Sequence, residues 1–212
     1  MDPALLEALA ATARTLAAEG LVERSSGNVS VRAGDEIAMT PTGALLATTT
    51  AGEAVVLDRA GTKLHGAAEP TSEAGLHLAL YARYDCGAVV HTHAPAATAL
   101  SCVLDELPVV HYEQLLLGGS VRVAPFEAFG TDRLAAAAAD AIEGRTVALL
   151  ANHGTIALGP DLDAALRATR LLEWLSNLYI KAATAGTPRA LTEEQQQQVI
   201  ASAVARNYGS NR

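Results

Sequence analysis

His91-Thr92-His93 closes the apolar run Ala88-Val89-Val90, and Pro95 follows two residues later. An apolar run bounded in this way reads as a buried strand. Residues i and i+2 of a strand share a face, so the two imidazoles stand side by side. Two imidazoles so placed are half of a zinc site, in which nitrogen ligands lie about 2.0–2.1 Å from the ion in a tetrahedral arrangement. The plainer reading of H-x-H is one buried and one surface histidine near a strand end, and the motif alone does not choose between them.

Two further features bear on that choice. Val147-Ala148-Leu149-Leu150-Ala151 is a second apolar run, and it ends in Asn152-His153-Gly154. The glycine marks a turn just after the histidine, which places a third imidazole at the mouth of another strand. Glu69-Pro70-Thr71-Ser72-Glu73 opens a periodic stretch with Leu76, Ala79 and Leu80 on one helical face. Thr71 or Ser72 caps that helix and puts Glu73 in its first turn. His91, His93 and His153 with Glu73 make a three-histidine metal site with an acid/base beside it.

The elements around these residues alternate between helices and short strands. Asp2 caps a helix with Pro3 at its first position, Leu5, Leu6, Leu9, Ala13 and Leu16 form its apolar stripe, and Gly20 ends it. Short strands are expected over Val29–Val31, Glu36–Met39 and Val55–Leu57, with a turn at Asp58–Gly61. A helix runs from about Ser72 to Tyr84, and the His91 strand follows it. Pro95 starts a helix through Leu100, Thr131 caps one ending near Gly144, and the longest lies between Pro160 and Gly186. Thr192-Glu193-Glu194-Gln195 is a capping box for the last. The chain reads as one α/β domain over residues 1–212, with a central, mostly antiparallel sheet flanked by helices.

Small polar corners complete the inventory. Ser25-Ser26-Gly27-Asn28 is one, where glycine lets a backbone approach a ligand. Thr42-Gly43 is another. Thr71-Ser72 begins a helix, where free N–H groups and the dipole favour an anion. None is specific alone, and G-N-x-S is more often a plain turn.

Gly27-Asn28-Val29-Ser30, Thr40-Pro41-Thr42-Gly43, Pro70-Thr71-Ser72-Glu73, His91-Thr92-His93 and Asn152-His153-Gly154 together resemble the class II aldolase/adducin family, in order and spacing. Within it, the chain is most similar to the aldolases that cleave L-fuculose-1-phosphate, from Gly20-Leu21 to Asn207-Tyr208-Gly209. The resemblance implies a sheet with helices on both sides. It also implies a zinc-dependent, fourfold-symmetric homotetramer with sites at subunit interfaces. The implied reaction splits a small ketose-1-phosphate into dihydroxyacetone phosphate and a short aldehyde such as lactaldehyde. It carries the zinc ligands onto His91, His93 and His153, and gives Glu73 two roles, on the metal when substrate is absent and as proton carrier in turnover. It carries the phosphate contacts onto Gly27, Asn28, Thr42, Gly43, Thr71 and Ser72. Tyr112 matches a tyrosine that protonates the aldehyde oxygen from a neighbouring chain, and Tyr208 a C-terminal tyrosine that helps close the site. The plain alternative for Tyr208 is an exposed side chain on a frayed tail.

Three other histidines have plainer readings. His77 shares a helix face with Glu73 and is expected to support the site or pack rather than ligate. His65 is read as surface, and His111 as a buried, hydrogen-bonded neighbour of Tyr112. Phe129 is read either as core or as lining for an aldehyde pocket.

Bulk properties fit. At 212 residues, 50% hydrophobic and 18% charged, the chain suits one globular core. A net charge of −8 gives no long-range attraction for nucleic acid or for a phosphosugar, so a phosphate must be held by local amides and hydroxyls. Isolated Cys86 and Cys102 fit reduced thiols of a cytoplasmic protein. No apolar run reaches the roughly 18 residues of a membrane span, and the acidic Met1-Asp2-Pro3-Ala4 lacks a signal-peptide start. Relatives using the same metal-stabilised chemistry remain as alternatives: a sugar-phosphate epimerase, a dehydratase or a decarboxylase. Glu73 stands where the epimerases usually carry Asp. A non-catalytic binding module of the adducin kind is disfavoured by the full histidine set.

Overall fold

A computed structural model of the chain describes residues 1–206. In chain order its elements are α1 (Pro3–Ala18), β1 (Asn28–Ala33), β2 (Glu36–Met39), β3 (Val55–Asp58), β4 (Lys63–His65), α2 (Ala74–Arg83), β5 (Ala88–Thr92), α3 (Pro95–Ser101), β6 (Glu106–Leu107), β7 (Val121–Ala124), α4 (Asp132–Ile142), β8 (Val147–Leu150), β9 (Gly154–Gly159), α5 (Leu162–Ala185) and α6 (Glu193–Ala205). The strands form one sheet in the order β4-β3-β2-β1-β5-β9-β8-β7-β6. Every neighbouring pair is antiparallel except β7 with β8.

Period-two alternation splits the core into two layers. Ala88 and Val90 of β5 and Val147 and Leu149 of β8 pack with Leu9 and Leu16 of α1, Leu100 of α3 and Leu166 and Leu172 of α5. Val89, Ala148 and Leu150 pack on the other side with Leu76 and Leu80 of α2 and Leu134 and Ala138 of α4. Helices therefore cover both faces, as the resemblance implies. Alanines let α4 lie close: Ala135, Ala138 and Ala139 are all buried against the α2 layer.

The expected helix caps are present. The Asp2 carboxylate accepts from the Ala4 N–H at 2.9 Å with Pro3 at the first position. Thr131 Oγ1 accepts from the Leu134 N–H, and both bonds of the Thr192/Gln195 capping box form. Two expectations are corrected. Helix α2 starts at Ala74, so Glu73 occupies the cap position itself. Thr71 Oγ1 accepts the Glu73 N–H at 3.3 Å, which turns the chain just before the helix. Gly154 does not make the turn after His153. It is the first residue of β9, and the left-handed residue is Asn152, at φ 55°.

Gly154 is needed for a different reason. A Cβ there would lie 2.3 Å from the Thr92 carbonyl oxygen and 2.9 Å from the His93 ring. Gly154→Ala is therefore expected to destabilise the fold by about 1–3 kcal/mol through overpacking. Gly75→Ala, at an exposed helical position with nothing within 4 Å of an added Cβ, is expected to stabilise by about 0.5–1 kcal/mol. Urea denaturation of the two variants checks the pair, and equal shifts of one sign would contradict it.

Candidate active site

The central strands place the imidazoles. His91 ends up opposite Asn28 of β1 on one side and Ile156 of β9 on the other. His93 follows two residues later, and His153 leads directly into β9. The three rings converge, with centroids 4.9–5.0 Å apart and ligand nitrogens all within 4.8 Å of one another. His91 Nε2 and His93 Nε2 are 3.1 Å apart. Glu73, buried at 6% exposure, adds its carboxylate: Oε2 lies 3.0 Å from His91 Nε2 and Oε1 3.4 Å from His153 Nε2.

Proton placement shows what this cluster is built for. His91 Nδ1 lies 2.8 Å from the Thr155 carbonyl oxygen, so Nδ1 must carry a hydrogen and donate it. In the neutral ring, Nε2 is then a lone pair aimed at the Glu73 carboxylate. Lone pairs and a carboxylate facing each other in a buried place repel unless a cation stands among them. Among the described residues the buried Glu73 Oε1 has no hydrogen-bond partner, so its lone pairs are free to meet such a cation. The donor set of three imidazoles and one carboxylate matches a catalytic zinc site, and Thr155 supplies the backing hydrogen bond that such ligands need.

Burial pushes the Glu73 carboxyl up, but His91, the Asn28 N–H and His153 outweigh it and hold the group well below the usual carboxylate range. Burial and the neighbouring imidazoles push His93 down to about 4. His153 is lowered for the same reasons. Near neutral pH the site thus offers an ionised carboxylate, with His93 and His153 unprotonated and ready to ligate.

The polar corners are stitched to the same end of the sheet. Asn28 Nδ2 donates to Glu73 Oε2 at 3.0 Å. The Thr71 N–H donates to the Thr40 carbonyl and the Thr42 N–H to the Glu69 carbonyl. Thr42, Gly43 and Ser72 are exposed, and among the described residues neither the Gly43 and Ser72 N–H groups nor the Thr42 and Ser72 hydroxyls make a hydrogen bond. Thr71 is buried. Gly27, at φ 93°, packs against protein: a Cβ there would lie 2.8 Å from the His91 carbonyl oxygen. It is what lets β1 begin so close to β5.

Other residues fall elsewhere. Tyr112 is exposed, stacks with its ring centroid 4.6 Å from that of His111, and has no hydrogen bond or ring contact to the histidine cluster among the described residues. His111 is partly buried, its Nδ1 accepting from the Glu113 N–H. His65 is exposed on β4. Phe129 is 69% exposed, so it is not core. Tyr208 lies outside the described residues. Burial pushes the Cys86 thiol up to about 11, and neither cysteine joins the cluster.

His77 supports the site as expected, and it brings in Tyr81, which no motif contains. His77 is fully buried, with Nε2 2.5 Å from Asn28 Oδ1 and Nδ1 2.6 Å from Ser30 Oγ. Ser30 Oγ lies 2.8 Å from the Tyr81 hydroxyl. The signal was available: Glu73, His77 and Tyr81 recur every fourth residue on one helical face, and Asn28 and Ser30 share a strand face.

Comparison with known proteins agrees with this geometry. The family described as "Class II Aldolase and Adducin N-terminal domain" matches residues 7–180. A 5-methylthioribulose-1-phosphate/5-deoxyribulose-1-phosphate aldolase of Rhodospirillum rubrum is 37% identical over 210 residues, 98% of this chain and 94% of the relative. The L-fuculose phosphate aldolase of Escherichia coli K12 is 36% identical over 183 residues, 85% of either chain. A solved L-fuculose 1-phosphate aldolase superposes with a TM-score of 0.90 at 33% identity, covering 94% of this chain and 95% of the other. The chain belongs to the class II aldolase family, and the members named here are aldolases, which are lyases.

Two outcomes follow from the site. His93→Ala should lose stoichiometric metal, one divalent ion per chain in the parent, as read by elemental analysis; full retention would contradict the ligand set. The pH dependence also has a definite sign. His77, pushed to about 3 by burial and His91, and His93 stay neutral in the fold while the unfolded chain takes up protons below its ordinary histidine value. Stability of the metal-free protein is thus complete above pH about 6.5 and falls as pH drops toward about 4. Urea unfolding at pH about 7.5 and about 5 checks this, and greater stability at the lower pH would contradict it.

Proposed function

We propose that the chain is a zinc-dependent aldolase that reversibly cleaves a ketose-1-phosphate into dihydroxyacetone phosphate and a short aldehyde. The observation that carries this reading is the convergence of three imidazole nitrogens and an ionised carboxylate on one buried point. In the cleavage direction the C4 hydroxyl loses its proton and the C3–C4 bond breaks. The electron pair moves toward the C2 carbonyl oxygen, and C3 then takes up a proton. His91, His93 and His153, joined by Glu73 when substrate is absent, would hold a divalent ion, which would supply Lewis-acid stabilisation of the charge developing on substrate oxygens. Glu73, ionised and with Oε1 free of hydrogen bonds, carries the proton to and from C3.

The phosphate is assigned to the corner made by Gly27, Asn28, Thr42, Gly43, Thr71 and Ser72. Unpaired amides and hydroxyls at Thr42, Gly43 and Ser72 beside the start of α2 support that assignment, and they suit an acidic protein that cannot attract the substrate from afar. Gly27 and Thr71 serve it by shaping the backbone. Phe126 and Phe129, both exposed, are assigned to lining the aldehyde end of the site. Their loop lies against the phosphate corner, since a Cβ on Gly130 would be 3.0 Å from the Ser72 carbonyl. Such a wall suits a terminal methyl or methylthio group. The sugars named for the Rhodospirillum and Escherichia relatives both end that way, so L-fuculose-1-phosphate and 5-deoxyribulose-1-phosphate are the leading substrates.

Tyr112 stands away from its own chain's histidines, which supports a role in a neighbour's site, protonating the aldehyde oxygen in the condensation direction. A groove lined by Tyr112, Leu116, Ile200 and Val204, all exposed, gives an apolar face of the kind that copies of a chain bury between them. This supports a homotetramer with shared sites. Tyr208 is assigned to closing the site over substrate. Among the described residues no helix is long and apolar enough to cross a membrane.

Dihydroxyacetone phosphate release is expected from both ketose-1-phosphates, and more slowly from ribulose-1-phosphate, whose end is a hydroxymethyl group. Release from none of them would sink the aldolase reading. Glu73→Gln should fold and lower the rate by about 10²–10⁴-fold. Co-assembly of Glu73→Gln chains with Tyr112→Phe chains should recover activity that neither variant shows alone, because some sites then combine both intact residues. Mixed tetramers without recovery would place Tyr112 outside the shared site.

A further inference from the structure

The buried residues behind Glu73 form a hydrogen-bonded line in which each proton has only one place to be. Asn28 Nδ2 faces the Glu73 carboxylate and donates to Oε2 at 3.0 Å. The Asn28 carbonyl oxygen therefore points the other way, to His77 Nε2 at 2.5 Å, and that nitrogen must carry a hydrogen. His77 has no exposure and neither ring nitrogen meets a carboxylate, so the buried ring is neutral. Its Nδ1 is then a lone pair that accepts from the Ser30 hydroxyl at 2.6 Å. Ser30 Oγ, its own hydrogen used, accepts from the Tyr81 hydroxyl at 2.8 Å. Burial raises the Tyr81 phenol, so it stays a donor. From Tyr81 to Glu73 every hydrogen bond runs in one direction.

The alternative arrangement fails at its last link. Were His77 to carry its hydrogen on Nδ1, Nε2 would face Asn28 as a lone pair. The Asn28 carboxamide would turn over to satisfy it, and Oδ1 would then face Glu73 Oε2 with no hydrogen between two buried acceptors. Glu73 Oε2 would lose the Asn28 donor, and the carboxylate would swing. Asn28, Ser30, His77 and Tyr81 are all at most 6% exposed, so water does not stand in for a missing partner.

We propose that His77 is a positioning residue of the active site: fixed as its Nε2–H tautomer by Ser30 and Tyr81, it pins the Asn28 carboxamide with the NH₂ toward Glu73 and so keeps that carboxylate aimed at the three imidazoles. The rate consequence rests on the aldolase reading. The tautomer does not, since it is a property of the protein without substrate.

Nitrogen-15 NMR of the histidine rings at neutral pH tests the first part, with His77→Gln identifying the His77 signals. The expected result is a neutral His77 ring protonated at Nε2; a ring protonated at Nδ1, or at both nitrogens, overturns the proposal whatever the enzyme's substrate. Kinetics test the second part. His77→Leu keeps an apolar group of similar bulk but cannot donate, and should lower kcat by about 10–100-fold, the usual cost of losing a group that orients a metal-site residue. His77→Gln can donate its amide hydrogen to Asn28 and should recover most of that loss. Metal stoichiometry and melting temperature measured on both variants separate positioning from stability. Recovery in the glutamine variant at equal or lower stability than the leucine variant supports the proposal. Equal loss in both variants, or rates that follow melting temperature, overturns it. If His77→Leu does not fold, Ser30→Ala takes its place: it frees Nδ1, and a mixture of tautomers with a smaller drop in kcat is expected, whereas an unchanged tautomer and unchanged kcat overturn the proposal.

Discussion

The hydrogen bond from His91 Nδ1 to the Thr155 carbonyl is the constraint on which the site depends. It fixes one ring nitrogen as a donor and leaves the other as a lone pair. Because His91 sits near the C-terminal end of β5 with no exposure, that lone pair has nowhere to turn except toward Glu73 and His93. Antiparallel pairing of β5 with β9 sets Thr155 opposite Thr92, which brings its carbonyl to the His91 ring and fixes the start of β9 beside His93. A buried convergence of lone pairs with a carboxylate is unfavourable on its own. The fold holds it in place, and a bound divalent cation would relieve the repulsion.

Close backbone approach is how the fold achieves this. Gly27 and Gly154 lie against the His91 and Thr92 carbonyls, one on each flank of β5, where any side chain would push the neighbouring strand away. Two helical layers then clamp the sheet. The α2 layer does more than cover it: the same face that buries Leu76 and Leu80 also presents Glu73, His77 and Tyr81 to β1. Core packing and orientation of the acid/base are thus parts of one interface, and a disturbance of α2 reaches the chemistry directly.

Much of this was legible in the sequence. Apolar runs and capping residues located β1, β2, β3, β5 and β8 and most helices. The His91, His93 and His153 set was read from their positions at strand ends, and the two-sided helical cover came with the resemblance. What was missed has physical reasons. β9 begins and ends with glycine, so it reads as turn, although those glycines reflect tight packing against Thr92 and α5. β4 and β6 span three and two residues, β4 is an exposed edge whose pattern carries no burial signal, and Arg122 interrupts the apolar pattern of β7. Glu73 fell one step outside its helix because Thr71 bonds its N–H before the helix starts. The buried line through His77 was half visible: its spacing was present, but partners on β1 and α2 meet only once the sheet and helix are packed. Tyr112 shows the limit of a single chain, since its proposed contact belongs to another subunit.

X-ray absorption spectroscopy of the protein loaded with one equivalent of zinc per chain tests the central claim most directly. The account predicts a first shell of nitrogen and oxygen only, at about 2.0–2.1 Å, with the outer-shell scattering of three imidazoles. A sulfur shell at about 2.3 Å, or scattering from fewer than three imidazoles, would contradict it.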